Sequence, residues 1–119
     1  MAANPVSRPD ELRLVPEKQA SEMTVRATGR ITSSTASTLE NTLRGLIADN
    51  KRLVLDLTAV EYIDSAGLGA LVSVYMHARG ANCDLEIANP KQRVRDLFSR
   101  SRLASVFEGH HDMLGVTPD

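Results

Sequence analysis

Apolar residues recur along this chain with two periods, and the changes from one period to the other mark out its elements. Leu12 and Leu14 alternate weakly with polar neighbours, and Met23, Val25 and Ala27 do so again, the period-two pattern of strands with one buried face. The polar run Glu17 to Ser21 predicts a turn joining two antiparallel strands, the second ending at Gly29 with Ile31 just beyond. Ala36, Leu39, Leu43, Leu46 and Ile47 form one apolar stripe of a helix near residues 35 to 48, with Glu40, Asn41, Arg44 and Asp49 facing away. Its cap is open among Thr32, Ser33, Ser34 and Thr35, and Ser37 with Glu40 has capping-box spacing.

The middle of the chain is the most ordered in pattern. Leu53, Val54, Leu55 and Leu57, interrupted only by Asp56, read as a central strand covered on both faces. A loop from Thr58 to Ile63 leads to Asp64, whose carboxylate suits a helix N-cap, so Ser65 takes about the first helical position. Leu68, Leu71, Val72 and Tyr75 give the buried side of a helix near 65 to 79, closed by Gly80 in a left-handed C-cap. Cys83, Leu85 and Ile87 form a further strand, Asn89-Pro90 turns the chain, and Val94, Leu97 and Phe98 point inward from a helix near 91 to 100. Leu103, Val106 and Phe107 then close over the end of the core. The order predicts an α/β fold, a mixed sheet of four or five strands with about four helices mainly on one side.

Length and composition narrow the function classes. At 119 residues the chain has room for one core, over residues 11 to 108, with a flexible lead-in at 1 to 10 and a tail at 109 to 119. A formal net charge of −1 does not advertise nucleic acid or an anionic membrane as a general partner. A single cysteine, Cys83, rules out an internal disulfide and fits a reducing cytoplasm. With no signal segment and no apolar run of membrane length, the expectation is a soluble cytoplasmic protein. In the tail with His110, His111 and Asp112, adjacent side chains of an extended chain point in opposite directions, so a two-His metal site is not expected there.

The second helix carries the candidate chemistry. The side opposite its apolar stripe holds Ala66, Gly69, Ala70, Ser73 and His77, small residues where a solvated face would carry Lys, Glu and Arg. Gly67 and Gly69 each cost about 1 kcal/mol against Ala in a helix interior, which suggests close approach by something, either a partner or another element of the same domain. The rival site is the basic outer face of the third helix, Lys91, Arg93, Arg95, Arg100 and Arg102, which reads first as solvated surface and second as a binder of an acidic partner or phosphate. A serine at a strand-to-helix junction also describes a hydrolase nucleophile. Here the residue two before Ser65 is Ile63 rather than glycine, and His77 lies about 18 Å along the same helix, so it cannot serve as the base. No phosphate loop, dinucleotide fingerprint or metal-ligand cluster appears, and no enzyme activity or bound cofactor is expected.

The run Leu55-Asp56-Leu57-Thr58 to Val60, followed by Ile63-Asp64-Ser65-Ala66-Gly67-Leu68-Gly69, resembles the signature of the STAS domain of bacterial anti-sigma factor antagonists, and the likeness extends over about residues 12 to 107. It implies the STAS fold and makes Ser65 the residue phosphorylated by a partner kinase. Ala66 replaces a second serine common in the family, leaving Ser65 as the one acceptor in the tip of the loop, and Thr32 stands where the family usually has Asp. Asp64, Asp56 and Thr32 would support the phosphorylation loop, and Ala66, Gly67, Gly69, Ala70, Ser73 and His77 would bind the partner. The implied partners are an anti-sigma factor that is also a serine kinase, bringing its own ATP and Mg²⁺, and a PP2C-type serine phosphatase. Direct contact with nucleic acid or membrane is not expected, and the free protein is expected to be a monomer. The alternative is a STAS docking subunit of a stress-signalling or lipid-transport complex in which Ser65 is never phosphorylated.

Overall fold

The computed structural model describes residues 11–20 and 22–100. The expected lead-in at 1 to 10, the closure by Leu103, Val106 and Phe107, and the tail with its histidines lie outside the described residues. Among the described residues, four strands and three helices run in the order β1 (Leu12–Gln19), β2 (Glu22–Ile31), α1 (Ala36–Asp49), β3 (Arg52–Ile63), α2 (Ser65–Gly80), β4 (Asp84–Ala88) and α3 (Gln92–Arg100). Among the described residues the sheet has four strands, in the order β1-β2-β3-β4. The β1–β2 hairpin is antiparallel, whereas β2–β3 and β3–β4 are parallel, each bridged by a helical crossover. This is the predicted mixed α/β architecture.

A single core lies between one face of the sheet and the helices. Leu53, Leu55 and Leu57 of β3 are fully buried against Leu39 and Leu43 of α1 and Leu71 and Val74 of α2 in one continuous cluster. Val54 and Asp56, on the opposite face, are only half-buried. The expectation of a strand covered on both faces therefore fails: the helices shield one face, and the other stays open. Near one end of this sheet, the Arg52 guanidinium bridges Glu22, Asp84 and Glu86, joining three strands.

Two boundaries differ from the sequence expectation for one reason. The segment Thr58 to Ile63 is not a loop but the second half of β3, and β2 likewise continues through Gly29 to Ile31, which pairs with Ile63. Between Arg26↔Asp56 and Thr28↔Ala59, and again between Gly29↔Val60 and Arg30↔Tyr62, β3 spends one more residue than β2. These bulges replace alternation by a spacing of three, so the buried positions run Leu57, Val60, Ile63. The hairpin is also longer than its side chains suggest, pairing as far as Gln19↔Glu22 around Ala20 at φ 54°. Glu17, Lys18 and Gln19 are exposed there, so backbone pairing rather than burial holds the end of β1.

Helix ends depart in detail. Thr35 is the N-cap residue of α1, and Ser37 lies inside the helix, so the Ser37–Glu40 capping box is not formed. Gly80 is the last residue of α2, and the left-handed residue is Asn82 at φ 59°. Asn tolerates that region better than most residues with a Cβ.

Candidate functional site

The parallel pairing of β2 and β3 delivers Ile31 and Ile63 side by side, so the β2–α1 loop and the start of α2 meet at one end of the sheet. Asp64 ties them together. Its backbone N–H donates to the Ile31 carbonyl (3.2 Å), its Oδ1 accepts from the Gly67 N–H (2.8 Å), and its Oδ2 accepts from the Ser33 N–H (3.4 Å). The predicted N-cap is thus also a cross-link between two loops. Thr32 shapes the second loop: its N–H donates to Thr35 Oγ1 (2.9 Å), its Oγ1 accepts from the Ser34 N–H (3.2 Å), and the Thr35 hydroxyl donates to the Arg30 carbonyl (2.9 Å). Both threonines are buried. Ser65, by contrast, is exposed as the first residue of α2.

Gly67 is needed here for space. A Cβ at this position would stand 2.0 Å from the Ile31 carbonyl oxygen, so only glycine lets the first turn of α2 sit against the end of β2. Gly69 is different, exposed and with nothing within 4 Å of an added Cβ.

The outer face of α2 is therefore narrower than the sequence indicates. Ala66, Gly69 and His77 are exposed and Ser73 is half-buried. Gly67 and Ala70 do not belong to it. Ala70, Val74 and Ala78 recur one turn apart on a buried seam, and α2 packs on α1, so the small residue at 70 serves packing within the domain. Val72, expected to be buried, is half-buried, while Met76 is 53% exposed and joins the outer face. Helical spacing from Gly69 and Ser73 points to Met76, but an apolar residue is ordinarily assigned inward.

Asp56 does not reach the site. It lies seven residues before Ile63 on β3, roughly 20 Å away at strand rise. Its Oδ1 accepts from the Thr58 N–H (3.0 Å), the Thr58 hydroxyl (2.6 Å) and Asn89 Nδ2 (3.3 Å). Burial opposes its charged form, but these hydrogen bonds and the Arg26 charge outweigh that and hold its pKa below the usual carboxylate value. Its role is to fix the strand and the turn after β4.

Beside Ser65 the surface opens into a hollow of about 450 Å³. One wall is Tyr62 to Ser65, and the other is the face of α3 carrying Arg93, Asp96, Leu97 and Arg100. The sequence could not place that face, because its position depends on how α3 packs onto β3.

Residues 14–114 match the family model described as Mlab, STAS domain. The chain belongs to the STAS domain family. Within it, a Bordetella bronchiseptica protein described as a candidate anti-sigma factor antagonist, BtrV, is 34% identical over 80 residues, which cover 66% of this chain and 69% of that one. The crystal structure of an anti-sigma factor antagonist from Mycobacterium paratuberculosis superposes with a TM-score of 0.74 at 25% identity, covering 96% of this chain and 92% of that one. The STAS fold is shared as well with the anti-sigma factor antagonist SpoIIAA. Its unphosphorylated form gives a TM-score of 0.64 at 12% identity, over 82% of this chain and 96% of that one. The phosphorylated form of SpoIIAA, a Bacillus cell fate determinant, gives 0.62 at 14% identity, over 78% and 86%. Among the described residues of this STAS chain no helix is long and apolar enough to cross a membrane.

Proposed function

We propose that this STAS domain is an anti-sigma factor antagonist, a protein-binding module without catalysis of its own, which frees a sigma factor by occupying its anti-sigma factor. The observation that carries this reading is the exposure of Ser65 at the head of α2, one turn from the open, small-residue surface of Ala66, Gly69, Ser73, Met76 and His77. A partner helix or loop can approach that surface closely because Gly69 has nothing beside it. The likeness to named antagonists supports the same reading.

Phosphorylation of Ser65 by the kinase activity of the anti-sigma factor is the switch in this proposal, and a PP2C-type phosphatase reverses it. ATP and Mg²⁺ belong to the kinase. A phosphoserine adds a charge of about −1.5 to −2 at the rim of the docking surface. Burying that charge in a complex costs several kcal/mol unless it is paired, so modification releases the partner without refolding the domain. Asp64 and Thr32 hold the loop rather than transfer the phosphate, because their side chains are already engaged in it.

The experiment is a binding measurement with the cognate anti-sigma factor. Gly69→Arg and Ser73→Arg are expected to abolish binding with little change in thermal stability. Incubation with ATP should add one phosphate at Ser65, and Ser65→Ala should bind but resist modification. Normal binding by both arginine variants places the docking surface elsewhere, and phosphate-free Ser65 after incubation removes the switch.

A further inference from the structure

The hollow beside Ser65 brings the rival basic face of α3 into the switch. Arg93 and Arg100 are separated by seven residues, two helical turns and about 10 Å, so they share one face, with Asp96 and Leu97 between them. Both arginines are exposed, and among the described residues neither has an ion-pair or hydrogen-bond partner. The two acids of the hollow are already engaged: Asp64 with the Gly67 and Ser33 amides, and Asp96 with the Gln92 amide (2.8 Å). Behind the Tyr62 wall a third guanidinium, Arg30, stacks at 4.6 Å from the ring centroid, and its Nε is buried with no hydrogen-bond partner. The titratable and charged groups around Ser65 are thus Tyr62 from β3, Asp64 at the head of α2, Arg93, Asp96 and Arg100 from α3, and Arg30 from β2. Arg93 and Arg100 line the hollow with Asp64 and Asp96, and Arg30 adds a third positive charge behind the Tyr62 wall before any phosphate is added.

We infer that a phosphate on Ser65 is captured within the same molecule by Arg93 and Arg100, so that phosphorylation clamps the head of α2 to α3. This rests on the reading of Ser65 as the phosphoacceptor and adds where the new charge goes. Guanidinium groups match phosphate oxygens in forked pairs, and the free N–H groups of the first turn of α2 add to the attraction. The clamp holds the phosphate between the head of α2 and α3, so a partner docking across Ser65 onto Gly69 and Ser73 must break that pairing. It also shields the phosphate ester from the phosphatase, making the modified form long-lived.

The test installs phosphoserine at position 65 of the full chain during translation, so that no kinase is needed. The phosphate is then titrated by phosphorus NMR in the native protein and in the chain unfolded by denaturant. The second phosphate pKa, about 6 when free, should be lower by about one unit in the native protein, as expected for opposite charges within a few ångströms. The Arg93→Gln/Arg100→Gln double variant should lose most of that shift, each single variant part of it, and Arg79→Gln, at the far end of α2, none. The double variant should also be dephosphorylated several-fold faster. Equal pKa values in the parent and in both folded single variants would overturn the clamp, as would an equal effect from Arg79→Gln. Because the phosphate is placed without a kinase, failure of the clamp leaves anti-sigma binding intact, and absence of a kinase leaves the titration intact.

Discussion

Gly67 and Gly69 stand two residues apart on α2, and replacing each by alanine should move stability in opposite directions. Alanine is favoured over glycine in a helix interior by about 1 kcal/mol, less toward an end. At Gly69 the added Cβ meets nothing within 4 Å, so Gly69→Ala should stabilise the domain by about 0.5 to 1 kcal/mol. At Gly67 the same Cβ would stand 2.0 Å from the Ile31 carbonyl oxygen, 2.6 Å from its carbon and 2.9 Å from Ile31 Cγ2, where ordinary contacts lie at about 3.5 Å or more. Two of those atoms are backbone, held by the Ile31↔Ile63 pairing, so no side-chain rotation relieves the overlap. Forcing α2 off β2 costs about 1 to 3 kcal/mol as overpacking and strains the Asp64 N–H bond to Ile31, worth about 1 kcal/mol. After the helix-propensity gain is subtracted, Gly67→Ala should destabilise by about 1 to 3 kcal/mol. Equilibrium unfolding in urea, with the slope shared among the three proteins, reads both changes directly. A Gly67→Ala protein as stable as the parent would refute the reasoning, because it would mean that α2 does not need its close seat against β2.

Two further predictions concern the core and the acid limb. Leu71→Ala removes a fully buried side chain between α2 and the sheet and should cost about 2 to 5 kcal/mol in the same urea assay. Asp56 has a folded pKa below its unfolded value, so the stability it contributes is present above the unfolded value, about 3.9, and is lost as pH falls through the lower folded value. Asp56→Asn should therefore lose less stability than the parent between about pH 4 and pH 2, and parallel curves for the two proteins would contradict that assignment.

What the sequence discloses follows from which signals are local. Leu39, Leu43 and Ile47 repeat with helical spacing, and Asp64 precedes an apolar stripe, so α1 and the start of α2 are legible from neighbours alone. The second half of β3 is not, because its two bulges exist only in relation to β2 and erase the alternation by which strands are recognised. The small residues of α2 divide in the same way. Ala70 and Gly69 look alike in a sequence, and only the approach of α1 and the end of β2 sorts packing residues from open ones. Met76 escaped because an apolar residue is ordinarily assigned inward, even where its helical spacing places it on the outer face. The arginines of α3 were visible as a charge pattern, but their position opposite Ser65 depends on tertiary packing.

The cross-link from Asp64 to Ile31 and Ser33 joins residues more than thirty positions apart, and this makes the setting of Ser65 a reporter of completed folding. A short peptide spanning residues 55 to 72 carries the whole motif yet lacks the Ile31 carbonyl, the Ser33 amide and the β2 strand that hold the head of α2 in place. During synthesis, β2 and its loop must wait for β3 and the first turn of α2 before the serine acquires its native setting. An enzyme that reads this shape rather than a linear motif would ignore nascent and unfolded copies, so only molecules competent to dock would be counted by the switch.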